Sequence, residues 1–318
     1  MKFKVLPALL LAGLLSLTGC GTPDPTPAQA AGAAGGAAAA TGPAVRINTS
    51  PEQHRIRADR DPDAAALLPQ KNRDRARLVV ATTAGSVPLS FHASDDKTVI
   101  GSEPDLAQLV ADKLGLGLEI QVTSWESWPL KTQSGDYDAV FSNVGINDER
   151  RKIFDFASYR AAYMGFVAAA GSTRRLESAE DIAGLKIAVG PGTNQEKILL
   201  AWNETLLKAG RTPAELVNFG SASDTLLSLQ SGRIDAALQP YPTAVYQQAT
   251  ASGVKVVGKV NAGWPKETLV AAITAKGNGL AAALSAAINS AIRDGSYGKV
   301  LDRWGLAEEA LPESTVVS

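Results

Sequence analysis

Along the chain, apolar positions switch repeatedly between short unbroken runs and helical spacing, and the switching starts near residue 77. Arg77 to Thr82 is a β-branched apolar run with the length of a strand. From Glu103 to Leu114 the side chains of Leu106, Leu109, Val110 and Leu114 recur on one helical face, with Pro104 early and Gly115 just past the end. Leu118 to Val122 supplies the next strand. Strand, helix and strand in this order predict a parallel crossover unit, not a hairpin. The alternation continues with a helix from Ser124 that closes at Gly135, a buried strand at Ala139 to Phe141, and a long strand in the second half of residues 153–170, able to run from one lobe into the next. Further strands are predicted at Leu185 to Val189, Leu216 to Phe219, Ile234 to Leu238, Val254 to Val257 and Leu269 to Thr274. Helices are predicted from Thr193 to about Ala209, and over Ala222 to Gln230, Thr243 to Ala249, Leu280 to Ile292 and Tyr297 to Trp304. The fold class is α/β.

One frame occurs twice. Residues 133–141 read QSGDYDAVF and residues 230–238 read QSGRIDAAL, sharing QSGxxDA. Two unrelated helix-Gly-strand units would explain this. So would two similar lobes, each delivering a strand end to a common cleft. Residues just past the carboxyl ends of strands line the ligand crevice of open α/β sheets, so the loop after the first copy, with Ser142, Asn143, Gly145 and Arg150, is the first place to look. Arg150 presents a planar fork of donors suited to a carboxylate, although an arginine opening a helix is more often a solvated charge. Trp125, at a strand-to-helix junction, is either core or a ligand platform, and Trp128 is assigned to the core. Thr193 followed three residues later by Glu196 is a capping box, and the free amides of that helix start also favour an anionic or acceptor group of a ligand.

Composition removes several alternatives. The formal net charge of -1 offers no electrostatic footprint for nucleic acid. The only cysteine is Cys20, so the folded region has no intramolecular disulfide, catalytic thiol or Cys-based zinc site. The two histidines, His54 and His92, have no partners at ligand spacing, and no metalloprotease, nucleophile-elbow, Walker or dinucleotide frame is present. No metal, cofactor or catalytic residue is therefore expected. The basic start (Lys2, Lys4), the apolar run from Val5 to Leu15, and Leu17-Thr18-Gly19-Cys20 fit an export signal. The last four residues resemble the lipobox of bacterial lipoproteins, which implies a signal peptide over 1–19 and an acylated Cys20. Residues 20–74 begin as an Ala/Gly/Pro-rich stretch and continue with alternating charges, and a flexible tether is expected there.

From about Leu78 to Leu306 the chain resembles the periplasmic solute-binding proteins that serve ABC importers of polar amino acids, family 3. The resemblance is carried by Gly101-x-Glu103-x-Asp105-Leu-Ala, the stretch from Gln133 to Ser158, Leu185 to Glu196, Gly232-Arg-Ile-Asp235-Ala, and the ending Asp294-Gly-Ser-Tyr297 with Arg303-Trp-Gly305. It implies a two-lobed fold of type II, each lobe a mainly parallel sheet flanked by helices, joined by two crossover segments. Lobe 1 would span 75–163 and 268–312, lobe 2 would span 164–267, and 313–318 would be a tail. The implied function is capture of an amino acid or related carboxylate-bearing solute and its delivery to an ABC permease. The protein would be an exported, lipid-anchored monomer facing the periplasm or cell exterior.

Position by position, the resemblance places the carboxylate-binding arginine on Arg150, first-lobe loop contacts on Ser142, Asn143 and Gly145, and a stacking aromatic on Trp125. Second-lobe contacts fall on Thr193 and Asn194. Gly145 lacks the hydroxyl of many relatives, Ser86 stands where an aromatic often covers the ligand, and Pro240 replaces the aspartate that pairs with an α-ammonium. Gln239 or Tyr241 would then serve as neutral acceptors, or the ligand would lack the ammonium. A dehydratase-like extracytoplasmic enzyme on the same fold and a ligand-sensing lipoprotein are the competing expectations.

Overall fold

The computed structural model describes residues 47–318; the leader and Cys20 lie outside them. Two large sheets carry the described chain, beside a small two-stranded one of Phe91–His92 and Val99–Ile100. The first has six strands in the order Val316–Val317, Phe154–Ala161, Leu269–Ala275, Ala139–Val140, Arg77–Thr82 and Gly117–Val122. The second has five, in the order Val254–Asn261, Tyr163–Ala169, Ala236–Pro240, Lys186–Ala188 and Glu215–Val217. Each sheet and its helices form one lobe.

Arg77–Thr82 pairs in parallel with Gly117–Val122 and with Ala139–Val140, through the crossover helices Ser102–Leu114 and Trp128–Ser134. The second sheet repeats this arrangement around Lys186–Ala188. Pairing is mixed in both sheets, because the strands that carry the chain between lobes run antiparallel to their neighbours. Phe154–Ala161 of the first sheet continues after Ala162 as Tyr163–Ala169 of the second, and Val254–Asn261 returns through 262–268 to Leu269–Ala275. The long strand expected in the second half of residues 153–170 is Tyr163–Ala169, and the first half adds a strand of the other sheet, Phe154–Ala161.

The repeated frame has a common structural job. Gly135 and Gly232 both take the left-handed conformation (φ 82° and 72°) that lets the chain turn back from its helix. Three residues on, Asp138 exchanges two bonds with the start of the neighbouring strand: its N–H donates to the Val79 carbonyl at 2.9 Å and its carboxylate accepts from the Val79 N–H at 2.8 Å. Asp235 does the same with Lys186, at 2.9 Å in each direction. The aspartates therefore set the entry of one strand beside the next in both lobes.

Two expectations at the chain ends are corrected. Residues 47–74 are not a tether: they form helices Pro62–Ala66 and Gln70–Arg75, with Ile47 and Ile56 packed on the first lobe's core. The alternating charges find partners there, Arg55 on Asp105 at 3.0 Å and Arg57 on Asp112 at 2.6 Å. Local composition could not show these partners. The tail likewise supplies an edge strand, Val316–Val317 pairing with Phe156 and Ala157.

Gly101 opens the helix Ser102–Leu114 with φ 131° and ψ 178°, a region essentially reserved for glycine. A Cβ there would lie 2.2 Å from the Leu89 carbonyl oxygen. Gly101→Ala is expected to destabilise the protein by at least about 2 kcal/mol through strain and overpacking, read from the denaturant midpoint.

Candidate functional site

A cavity of about 430 Å³ opens between the lobes at the carboxyl ends of the strands. Lobe 1 contributes Thr83, Ser86, Ser90, Trp125, Ser142 and Asn143 to its wall, and lobe 2 contributes Thr193, Gln195 and Pro240. Hydroxyls dominate the polar lining. The Ser142 hydroxyl accepts from the Thr83 N–H at 3.0 Å and lies 2.6 Å from the Thr83 hydroxyl, tying two strand-end loops together. Thr193 caps helix Asn194–Lys208 by accepting from the Glu196 N–H at 3.2 Å. The Glu196 carboxylate reaches back to the Gly192 N–H at 2.7 Å.

Asn143 takes a left-handed φ of 50°, and its side-chain oxygen accepts from Arg160. Behind it lies a buried charge cluster: Arg160 donates to Glu309 and to Glu103, and the Tyr159 hydroxyl donates to Glu103. Burial pushes the Glu103 and Glu309 carboxyls up, against the pull of Arg160. For Arg160, burial pulls the other way, but the two carboxylates more than offset it and hold the guanidinium above its ordinary value. Glu103 also lies at the cavity wall.

Arg150 sits in the short helix Asp148–Arg151, which is capped by the Asn147 side chain. It is not among the residues lining the cavity. Its guanidinium lies against Trp125 and Trp128, 5.3 and 5.8 Å from the ring centroids, and donates to the carbonyls of Gly145 at 2.7 Å and Gly192 at 3.1 Å. These acceptors are neutral. Burial lowers its pKa to about 10, so it stays charged at neutral pH with only neutral groups as hydrogen-bond acceptors.

Of the residues singled out in the sequence, Ser86, Trp125, Ser142, Asn143 and Thr193 converge on the cavity. Gly145, Arg150 and Asn194 form a seam between the lobes beside it. Trp128 is core, at 2% exposure. Gln239 lines an adjoining cavity of about 290 Å³ and donates to Gln247 at 2.7 Å. Tyr241 does not reach the main cavity: its ring lies 4.2 Å from the Lys259 ammonium, because Pro240 sends the chain directly into helix Tyr241–Thr250. Pro240 itself faces the cavity and brings no charge. Thr83, Ser90 and Gln195 were not singled out, although Thr83 follows a predicted strand and Gln195 sits beside two named residues; strand-end position was the available signal. Among the described residues no group of three or more His, Cys, Asp or Glu side chains is placed to hold a metal.

Residues 78–307 match the family model described as bacterial extracellular solute-binding proteins, family 3. The chain belongs to that family. The L-cystine-binding protein TcyJ of Escherichia coli (strain K12) is 30% identical over 172 residues, covering 54% of this chain and 61% of its own length. The arginine-binding protein ArgT of Corynebacterium glutamicum is 26% identical over 257 residues, 80% of this chain and 83% of that protein. Among solved structures, an ancestral arginine-binding protein bound to arginine is 29% identical with TM-score 0.63, covering 72% of this chain and 98% of that one. The ancestral amino acid-binding protein AncCDT-1, a precursor of cyclohexadienyl dehydratase, is 25% identical with TM-score 0.64, covering 75% and 99%. The fold is the type II periplasmic-binding-protein fold of the family.

Proposed function

We propose that this family-3 protein is an extracytoplasmic solute-binding protein of an ABC importer, capturing an amino acid or related carboxylate-bearing solute between its lobes. It catalyses no reaction, is a monomer, and is held at the membrane by a lipid on Cys20. The observation that carries the reading is Arg150, a half-buried guanidinium bonded only to neutral oxygens beside a hydroxyl-lined interlobe cavity. Such a cation gains most from a partner that brings a negative charge and two acceptor oxygens. Ser142, Asn143, the Gly145 amide, Thr193 and Asn194 complete the contacts, with Trp125 and Ser86 covering the solute. The relatives named for cystine and arginine support amino acids as the first candidates. Pro240 leaves an α-ammonium without its usual counter-charge, so Gln239 or a ligand lacking that group fits this cleft.

Native mass spectrometry of gently purified protein identifies the co-purified solute, which raises the melting temperature by mass action. Arg150→Ala is then expected to weaken its binding by about 2–5 kcal/mol in calorimetry. Unchanged affinity would remove Arg150 from the site. A second reading, an enzyme, draws on Glu103 at the cavity wall and on the dehydratase precursor among the structural neighbours. A solute recovered unaltered after prolonged incubation excludes it.

A further inference from the structure

The lobes touch directly along the seam beside the cavity. From lobe 1, Asn147 donates to the Asn194 side-chain oxygen at 2.8 Å, Arg150 reaches the same oxygen at 3.4 Å, and Glu149 pairs with Lys197 of lobe 2. At the centre of the seam is Gly145. A Cβ built on it would lie 2.5 Å from Asn194 Nδ2 and 3.5 Å from Asn194 Cγ, so the asparagine amide occupies the room a side chain at 145 would need.

Neither partner is free to move aside. The Gly145 backbone is bridged to Val270, its carbonyl accepts from Arg150, and its neighbour Ile146 donates to the Leu269 carbonyl at 3.0 Å. Asn194 is 6% exposed and its oxygen is held by lobe 1, while its Nδ2 has no partner. Gly145 is not in the left-handed region, so a side chain there would cost space and no backbone strain. The glycine is thus required by the approach of the opposite lobe.

We propose that Gly145 and Asn194 act as one positioning pair that sets how deeply the lobes close. The bare backbone at 145 lets the start of helix Asn194–Lys208 seat against lobe 1. Closure depth in turn sets the space between Ser142 and Asn143 on one side and Thr193 on the other. The importance of the pair rests on the solute-binding reading, but its test uses no solute.

The test is a distance measurement by pulsed electron paramagnetic resonance on the full chain, with Cys20→Ser and spin labels on Glu126→Cys and Ser223→Cys, after exhaustive dialysis. Gly145→Ser is expected to lengthen and broaden the interlobe distance. Asn194→Gln, which adds a methylene from the other side and leaves Gly145 intact, is expected to do the same. Gly145→Ser combined with Asn194→Gly is expected to restore the original distribution. An unchanged distribution in either single variant, or a double variant that stays open, overturns the proposal, whatever solute the cleft takes.

Discussion

Arg160→Met is expected to lower the unfolding free energy by about 3–5 kcal/mol, the cost of leaving buried charge without its partner. Arg160 is 1% exposed, and both of its acidic partners are also buried, Glu103 at 0% and Glu309 at 2%. Removing the guanidinium leaves two carboxyls whose burial already favours the protonated form, and it also removes the donor that holds the Asn143 side chain at the cavity wall. The loss should appear in the denaturant midpoint. Adding Glu103→Gln and Glu309→Gln to the same chain should recover part of it, since neutral groups cost less to bury unpaired. A loss below about 1 kcal/mol in the single variant would show that the cluster is not paired as described.

Trp202→Ala is expected to cost about 3–5 kcal/mol, the range for truncating a fully buried tryptophan. Trp202 is 0% exposed in helix Asn194–Lys208, stacks on Phe166 at 5.9 Å with 22° between planes, and meets Trp264 edge to face at 5.8 Å and 88°. Phe166 lies on the strand that brings the chain into lobe 2, and Trp264 on the segment that takes it back, so the cavity would open where both crossings are braced. Its indole N–H has no partner. Trp202→Phe should therefore cost clearly less than Trp202→Ala, since it retains a ring and removes an unsatisfied donor. Equal losses for the two variants would point away from packing as the cause.

Much of the site was legible because strand ends and helix starts are local features. Ser142 and Asn143 follow a strand marked by Ala139 to Phe141, and Thr193 and Glu196 announce a helix start; the structure brings Ser142, Asn143 and Thr193 to one cavity. The doubled QSGxxDA frame was also readable, although the task of its aspartates was not. Asp138 and Asp235 act on Val79 and Lys186, residues far from them in sequence. Residues 47–74 went the other way: their composition favours solvation, and segments remote in the chain, helix Ser102–Leu114 with Asp105 and Asp112 and the C-terminal helices with Arg293 and Arg303, supply the partners that dock them. Arg150 lies between these cases. Its residue type and place were visible, but its bonds to Gly145 and Gly192 depend on how the lobes meet.

By itself the sequence determined most of the succession of strands and helices between Arg77 and Trp304, the glycines that close them, and, through ordered short motifs, the family. These rest on apolar periodicity and backbone preference, which act over a few residues. Tertiary structure alone decided which charges pair, as with Arg160 between Glu103 and Glu309, and which side chain stands over Gly145. Those outcomes depend on distances of a few ångströms between segments remote in the chain, where burial raises the cost of an unpaired group and a single Cβ decides whether two lobes can meet.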